Sequence, residues 1–272
     1  MRTLAVALAL SLALPALARA DEAGARRAGR AALARYGPAL VMVRLTVKSR
    51  MVIEGREQTS PEYTLEVQGT MVSPDGLTVV SDSASNPASM MQGGEESTRF
   101  ETETSEAKLV LQDGREIPAR FVLRDEGLDL AFLAPIGAVP ALPCVRFDKA
   151  PVPAPLDDLV LLSQLGRSLN REVGVTLGHV RAVVKKPRTF VVPSMLDGLL
   201  GRGGPAFDAA GRPVGLVLLR RAPRSQADGP GFRDPFDGMN PVVLAAADVQ
   251  EIAAQAQAAR AKLSAGEGDG AP

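Results

Sequence analysis

The sequence has 272 residues with 31 basic and 31 acidic side chains, one histidine and one cysteine. That balance gives no electrostatic case for nucleic acid or an anionic membrane surface as a partner. A lone histidine and a lone cysteine exclude the usual zinc constellation, no Asp-x-Asp-x-Asp-Gly loop is present for calcium, and neither metal nor cofactor is implied.

At the N-terminus, Arg2 precedes an uncharged run of 14 residues from Leu4 to Leu17, followed by Ala18-Arg19-Ala20 and acidic Asp21. This is the order of an export signal, so cleavage is expected after Ala20 and the protein is expected in the periplasm or outside the cell. The run is shorter than the ~20 residues that span a bilayer. No later segment is apolar enough to do so, and no membrane span is expected after cleavage. Losing Arg2 and Arg19 takes the formal net charge from 0 to −2. In an exported chain, lone Cys144 has no internal partner, and its neighbours Leu142, Pro143 and Val145 point to a buried thiol.

The 26 glycines and 21 prolines, set among Val/Leu runs, favour short strands with many turns. Ala23 to Tyr36 is Ala- and Arg-rich with Leu33 and Tyr36 three apart, which predicts a helix stopped by Gly37-Pro38. A strand is predicted over Ala39 to Val47, a loop over Met51 to Pro61 and a strand over Tyr63 to Val67. Between Gly69 and Ala84, Ser73-Pro74-Asp75-Gly76 joins two apolar runs as a tight hairpin. Ser85 to Glu106 reads as a long exposed loop, and Lys108 to Leu123 as a second hairpin turning at Asp113-Gly114. Proline-dense Ala134 to Pro155 is a linker, after which Leu159 to Ser163, Val173 to Val184 and Phe190 to Ser194 are predicted strands. Leu199 to Phe207 forms a Gly-rich loop leading into a hairpin that turns at Ala210-Gly211. Ala222 to Gly238 reads as a loop, Leu244 to Leu263 as an Ala-rich helix, and 264–272 as a flexible tail. Because Pro205 and a strand follow the glycines, a phosphate cradle is disfavoured, since that site needs a helix N-terminus.

Three stretches, in chain order, resemble the trypsin-like serine peptidases, and the bacterial HtrA/Deg branch in particular. They are Gly69 to Ala84 around Ser-Pro-Asp-Gly, Arg124 to Leu133 with Asp129-Leu130-Ala131, and Leu200-Gly201-Arg202-Gly203-Gly204-Pro205. The resemblance runs from about Arg35 to Leu263. It implies an all-β, trypsin-like double Greek-key antiparallel β-barrel with a short N-terminal and a longer C-terminal helix. The barrels would span about 38–145 and 155–243, with the site in the cleft between them and no PDZ module after the helix.

Carried over residue by residue, the resemblance sets Ser83 where the family has its base histidine and Asp129 where it has the orienting aspartate. Arg202 falls on the nucleophile position. The former oxyanion loop is then Leu200, Gly201, Gly203 and Gly204, where glycine allows backbone N–H groups to turn inward at φ > 0. With two of three triad positions replaced, no catalytic residue is expected, and the resemblance implies an inactive domain that binds a protein or peptide ligand in the cleft or serves as a scaffold. The alternative is a serine-type endopeptidase with an unconventional site, using Ser83 or Ser194 as nucleophile and Lys185 or Lys186 as base. His179 stands away from the base position and reads as an ordinary strand side chain. An aspartate that keeps its place without an imidazole needs compensation, so Arg202 is expected to reach across the cleft to Asp129 or Asp82, with Ser83 close by. The rival is Arg202 facing solvent, suited to an acidic peptide terminus.

Overall fold

A computed structural model describes residues 23–53, 56–86, 88, 98–148, 150–194, 201–221 and 239–268. Helix α1 (23–36) runs into a 3-10 turn at Gly37–Ala39 and then the first barrel. That barrel comprises β1 (Leu40–Ile53), β2 (Arg56–Thr59), β3 (Tyr63–Met71), β4 (Thr78–Ser81), β5 (Thr98–Val110), β6 (Glu116–Asp125) and β7 (Leu130–Pro135), with a one-turn helix α2 (Asp82–Ser85) after β4. All neighbours are antiparallel in the order β2-β1-β3-β4-β7-β6-β5, and pairing of β1 with β5 closes the ring. The second barrel closes in the order β10-β13-β12-β11-β8-β9. Its strands are β8 (Asp158–Gln164), β9 (Val173–Val184), β10 (Phe190–Pro193), β11 (Pro205–Asp208), β12 (Pro213–Arg221) and β13 (Met239–Ala245). Helix α3 (Ala246–Gly268) ends the described chain.

The strands read as continuous apolar runs because both faces are covered. Along β1, Val41, Val43, Leu45 and Val47 point into the first barrel, and Val217 and Val243 help to fill the second. Residues of the opposite parity form a third core between the barrels and under both terminal helices. Leu40, Val79, Phe132, Leu162, Phe207 and Leu216 belong to it, with Ala32 and Tyr36 from α1 and Val249 and Ile252 from α3. Tyr36 stacks on Phe207 with ring centroids 4.9 Å apart. Each fully buried large side chain in this layer contributes roughly 1.5–3 kcal/mol, and the layer fixes how the barrels meet.

Several boundaries differ from the sequence reading. Met51 to Pro61 is not all loop, since β1 extends to Ile53 and pairs with β2. The second half of the expected loop Ser85 to Glu106 is strand β5, while residues 87 and 89–97 lie outside the described residues. Leu244 and Ala245 finish β13, so α3 starts at Ala246 and continues to Gly268 through the first half of the expected tail. The export signal and the loop 222–238 also lie outside the described residues. Cys144 is half-buried against the core of the first barrel.

Candidate functional site

The cleft between the barrels is organised by Asp129, which occupies the tight turn before β7 at φ 58°, a left-handed conformation that a short polar side chain tolerates. From there it ties down the end of β4 and the start of α2 through backbone and side chain together. Its carbonyl accepts from the Asp82 N–H at 3.0 Å. Oδ1 accepts from the Ser83 N–H at 2.7 Å, and Oδ2 accepts from the Ser81 hydroxyl at 2.8 Å and from the Leu219 N–H of β12 at 3.3 Å. The Ser81 and Ser83 hydroxyls lie 3.2 Å apart, and Ser81 Oγ also caps α2 by accepting from the Ala84 N–H. Burial pushes the Asp129 carboxyl above its usual range, against the pull of these neutral donors.

The structure thus brings Ser83 and Asp129 together, with Leu219 of the second barrel as the third wall. It does not join Arg202 to them. Asp82 is taken instead by Arg124, whose guanidinium also donates to Ser85 Oγ and lies 3.7 Å over the Phe121 ring. Arg202 is half-buried in the turn Gly201–Gly203 and is not among the residues lining the cleft beside Asp129. The expected bridge from Arg202 to Asp129 or Asp82 is therefore corrected. Desolvation of Asp129 is answered by hydroxyl and amide donors already available on its own barrel and β12, and Asp82 has a nearer cation.

The glycines have a second use that the sequence reading missed. Gly203 sits at φ 83°, its N–H donates to the Val217 carbonyl at 2.8 Å, and its carbonyl accepts from the Thr70 hydroxyl at 2.6 Å. A Cβ there would stand 2.6 Å from the Gln68 carbonyl, and one at Gly204 would strike the Leu162 carbonyl and the Gln68 amide. Gln68 itself accepts from the Gln164 N–H at 2.6 Å and donates to the Gly201 carbonyl at 3.5 Å. At Gly203 the two barrels touch backbone to backbone, and Gly204 leaves room for the Gln68 side chain of the first barrel against the second. The signal was present in β3, where Gln68 and Thr70 interrupt an apolar strand and are buried. Leu200 lies outside the described residues.

Neither serine of the alternative mechanism contacts a lysine. Ser194 Oγ accepts from the His179 N–H at 3.0 Å within the β9–β10 edge, and the Ser83 hydroxyl meets Ser81. His179 is exposed on β9 opposite Asp158. Lys185 lines a second hollow next to the first, whereas Lys186 is exposed and lines neither.

The cleft proper holds about 260 Å³ between Ser83, Asp129, Glu126, Leu128, Phe190 and Leu219. Sharing the walls Gly127, Leu128, Phe190 and Arg220, a wider hollow of about 520 Å³ continues past Lys185, Arg188 and Asp248. Nothing in the sequence pattern marked Phe190 or Arg220 as wall residues. Among the described residues no cluster of His, Cys, Asp or Glu could hold a metal ion, and no helix is long and apolar enough to cross a membrane.

The family described as "Trypsin-like peptidase domain" matches residues 68–216, more than half of the chain and the span that carries Ser83, Asp129 and Arg202. No curated protein sequence matches. Solved structures that share the fold include "HtrA-type protease AlgW with decapeptide" at TM-score 0.51 and 18% identity, and "HtrA-type protease AlgWS227A with decapeptide" at TM-score 0.50 and 17% identity. They align over 81% and 79% of this chain, which spans only 65% and 62% of theirs.

Proposed function

This chain belongs to the trypsin-like peptidase domain family, and from that premise we propose that it is an exported, catalytically inactive member that holds an extended protein or peptide segment in the inter-barrel cleft. The observation that carries the reading is the set of groups on Asp129. Two serines and a backbone amide occupy its oxygens where a triad needs an imidazole. A hydroxyl at Ser83 cannot take a proton near neutral pH as histidine does. Export rests on the charge, apolar and small-residue order of residues 2–20, and residues 1–20 are then the cleaved signal. Ligand binding is supported by the open hollow beside Asp129 and by the decapeptide named in the titles of both similar structures.

The test is a fluorophosphonate probe on the folded protein. No serine should be modified in the wild type, and Arg202→Ser alone should also stay inert, because triad members act as a unit worth ~10⁶-fold together. Labelling of Ser83 or Ser194 in the wild type would overturn the inactive reading.

A further inference from the structure

The two halves of the cleft carry opposite charge. Around the inner hollow the ionisable walls are three acids, Asp82, Glu126 and Asp129, with Asp82 held by Arg124, and Arg220 on the border it shares with the outer hollow. Around the outer one they are Lys185, Arg188, Arg220 and Asp248. Arg188 is already taken by Asp248 at 2.6 Å and faces Glu251 at 3.7 Å. Arg220 and Lys185 enter no ion pair among the described residues. Arg220 instead lies 4.6 Å over the buried Phe190 ring, which fixes its plane and leaves the N–H edge for a ligand.

Beside these cations, the edge of β12 beyond Leu216 has no paired strand on the β11 side among the described strands. The Val217 N–H and carbonyl are used by Gly204 and Gly203, so the same parity at Leu219 also faces the cleft, where its N–H meets Asp129. An extended segment laid along this edge presents alternate side chains to the hollow walls.

Resting on the peptide-binding reading above, we propose that the outer half of the cleft selects an acidic side chain on the bound segment, seated between Lys185 and Arg220 and repelled from the inner half by Glu126 and Asp129. The occupant is an extended peptide carrying Asp or Glu. A carboxylate between these two cations, with the neighbouring Asp248 already paired to Arg188, gains charge-assisted hydrogen bonds that a neutral amide of the same shape lacks.

The experiment measures fluorescence anisotropy of the whole exported chain with two labelled decapeptide pools. They are identical except that one fixes Glu at a single central position and the other fixes Gln. The Glu pool should bind at least about fivefold tighter at low salt, with the advantage shrinking as salt rises. Lys185→Gln, an exposed position outside the core, should remove most of that advantage, and Arg220→Gln should remove the rest, each checked for an unchanged melting profile. Equal affinity for the two pools overturns the acidic preference and leaves peptide binding standing. Preference that survives both substitutions also overturns it, because the cations would then not be the receptor. Failure of both pools to bind overturns the peptide-binding reading itself, and the proposal with it.

Discussion

Two carboxylates sit between the barrels, and the protein treats them oppositely. Glu66 on β3 receives Arg171 at 2.8 Å and Arg167 at 3.0 Å from the second barrel, and Arg44 of β1 at 3.1 Å. Burial pushes its carboxyl up, but the three guanidinium groups outweigh that and hold it at about 2. Asp129 has only neutral donors, so for it burial prevails and the carboxyl rises. Neutral hydrogen bonds satisfy a carboxylate's lone pairs without returning the charge stabilisation lost with bulk water. The Glu66 seam is thus electrostatically closed and works as a joint. The Asp129 cleft is left open and polarised, which is the condition a ligand site needs.

The joint is where the structure should break most easily. Gly203→Ala places a Cβ 2.6 Å from the Gln68 carbonyl at a residue whose φ is 83°. Neither group can yield, since one is backbone of β3 and the other is pinned by Val217 and Thr70. The expected loss is about 3 kcal/mol or more, read as a fall in the midpoint of urea unfolding. A variant as stable as the wild type would mean that the barrels do not meet at this turn.

Next in size is Glu66→Gln. Taken at face value, the fall from the ordinary 4.5 to about 2 corresponds to at most about 3 kcal/mol. Arg167 is well exposed and screened, so about 1–2 kcal/mol is expected at neutral pH. The depressed folded value fixes the sign: this stabilisation is complete above about pH 4.5 and disappears as pH falls towards 2. Thermal melts of wild type and variant should therefore differ at pH 7 and converge near pH 2. A constant gap across that range would show that Glu66 acts through shape and not charge.

What was legible in the sequence was local. Ser73-Pro-Asp-Gly and Asp113-Gly114 announce their hairpins because the turn chemistry is carried by adjacent residues, with Gly76 at φ 82° and Gly114 at φ 83°. The outer arms of β1 and β5 stayed hidden because their partners are distant. Lys48 stands opposite Glu103 and Arg50 opposite Glu101, so charges that read as solvated loop in one dimension are cross-strand pairs in the sheet. The start of α3 was misjudged because Leu244 and Ala245, good helix formers, are held in β13 by pairing with Leu216 and Gly215. In the site, Ser83 and Asp129 came from motif order, whereas the Arg124 hold on Asp82 and the Arg220 stack on Phe190 depend on which strands become neighbours.

The smallest expected effect tests the open side of the comparison, and it runs the other way. Asp129→Asn keeps an acceptor for the Ser83 N–H and offers an amide to the Ser81 hydroxyl, which can rotate to accept it; only the 3.3 Å bond from Leu219 is lost. Asparagine also tolerates the positive φ at this turn. Against that small loss, the variant no longer has to hold a charge in a partly desolvated cleft without a cation. A folded value raised above the ordinary 3.8 means that the stability contributed by the protonated carboxyl is present below pH 3.8 and lost as pH rises through the folded value. The variant has no such loss. At pH 7 it should be more stable than the wild type by roughly 0.5 kcal/mol, and the two should approach each other as the pH falls below 4. If Asp129→Asn is instead destabilised at pH 7 by as much as Glu66→Gln, the aspartate is a structural anchor of the same kind as Glu66, and the contrast between a closed seam and an open cleft fails.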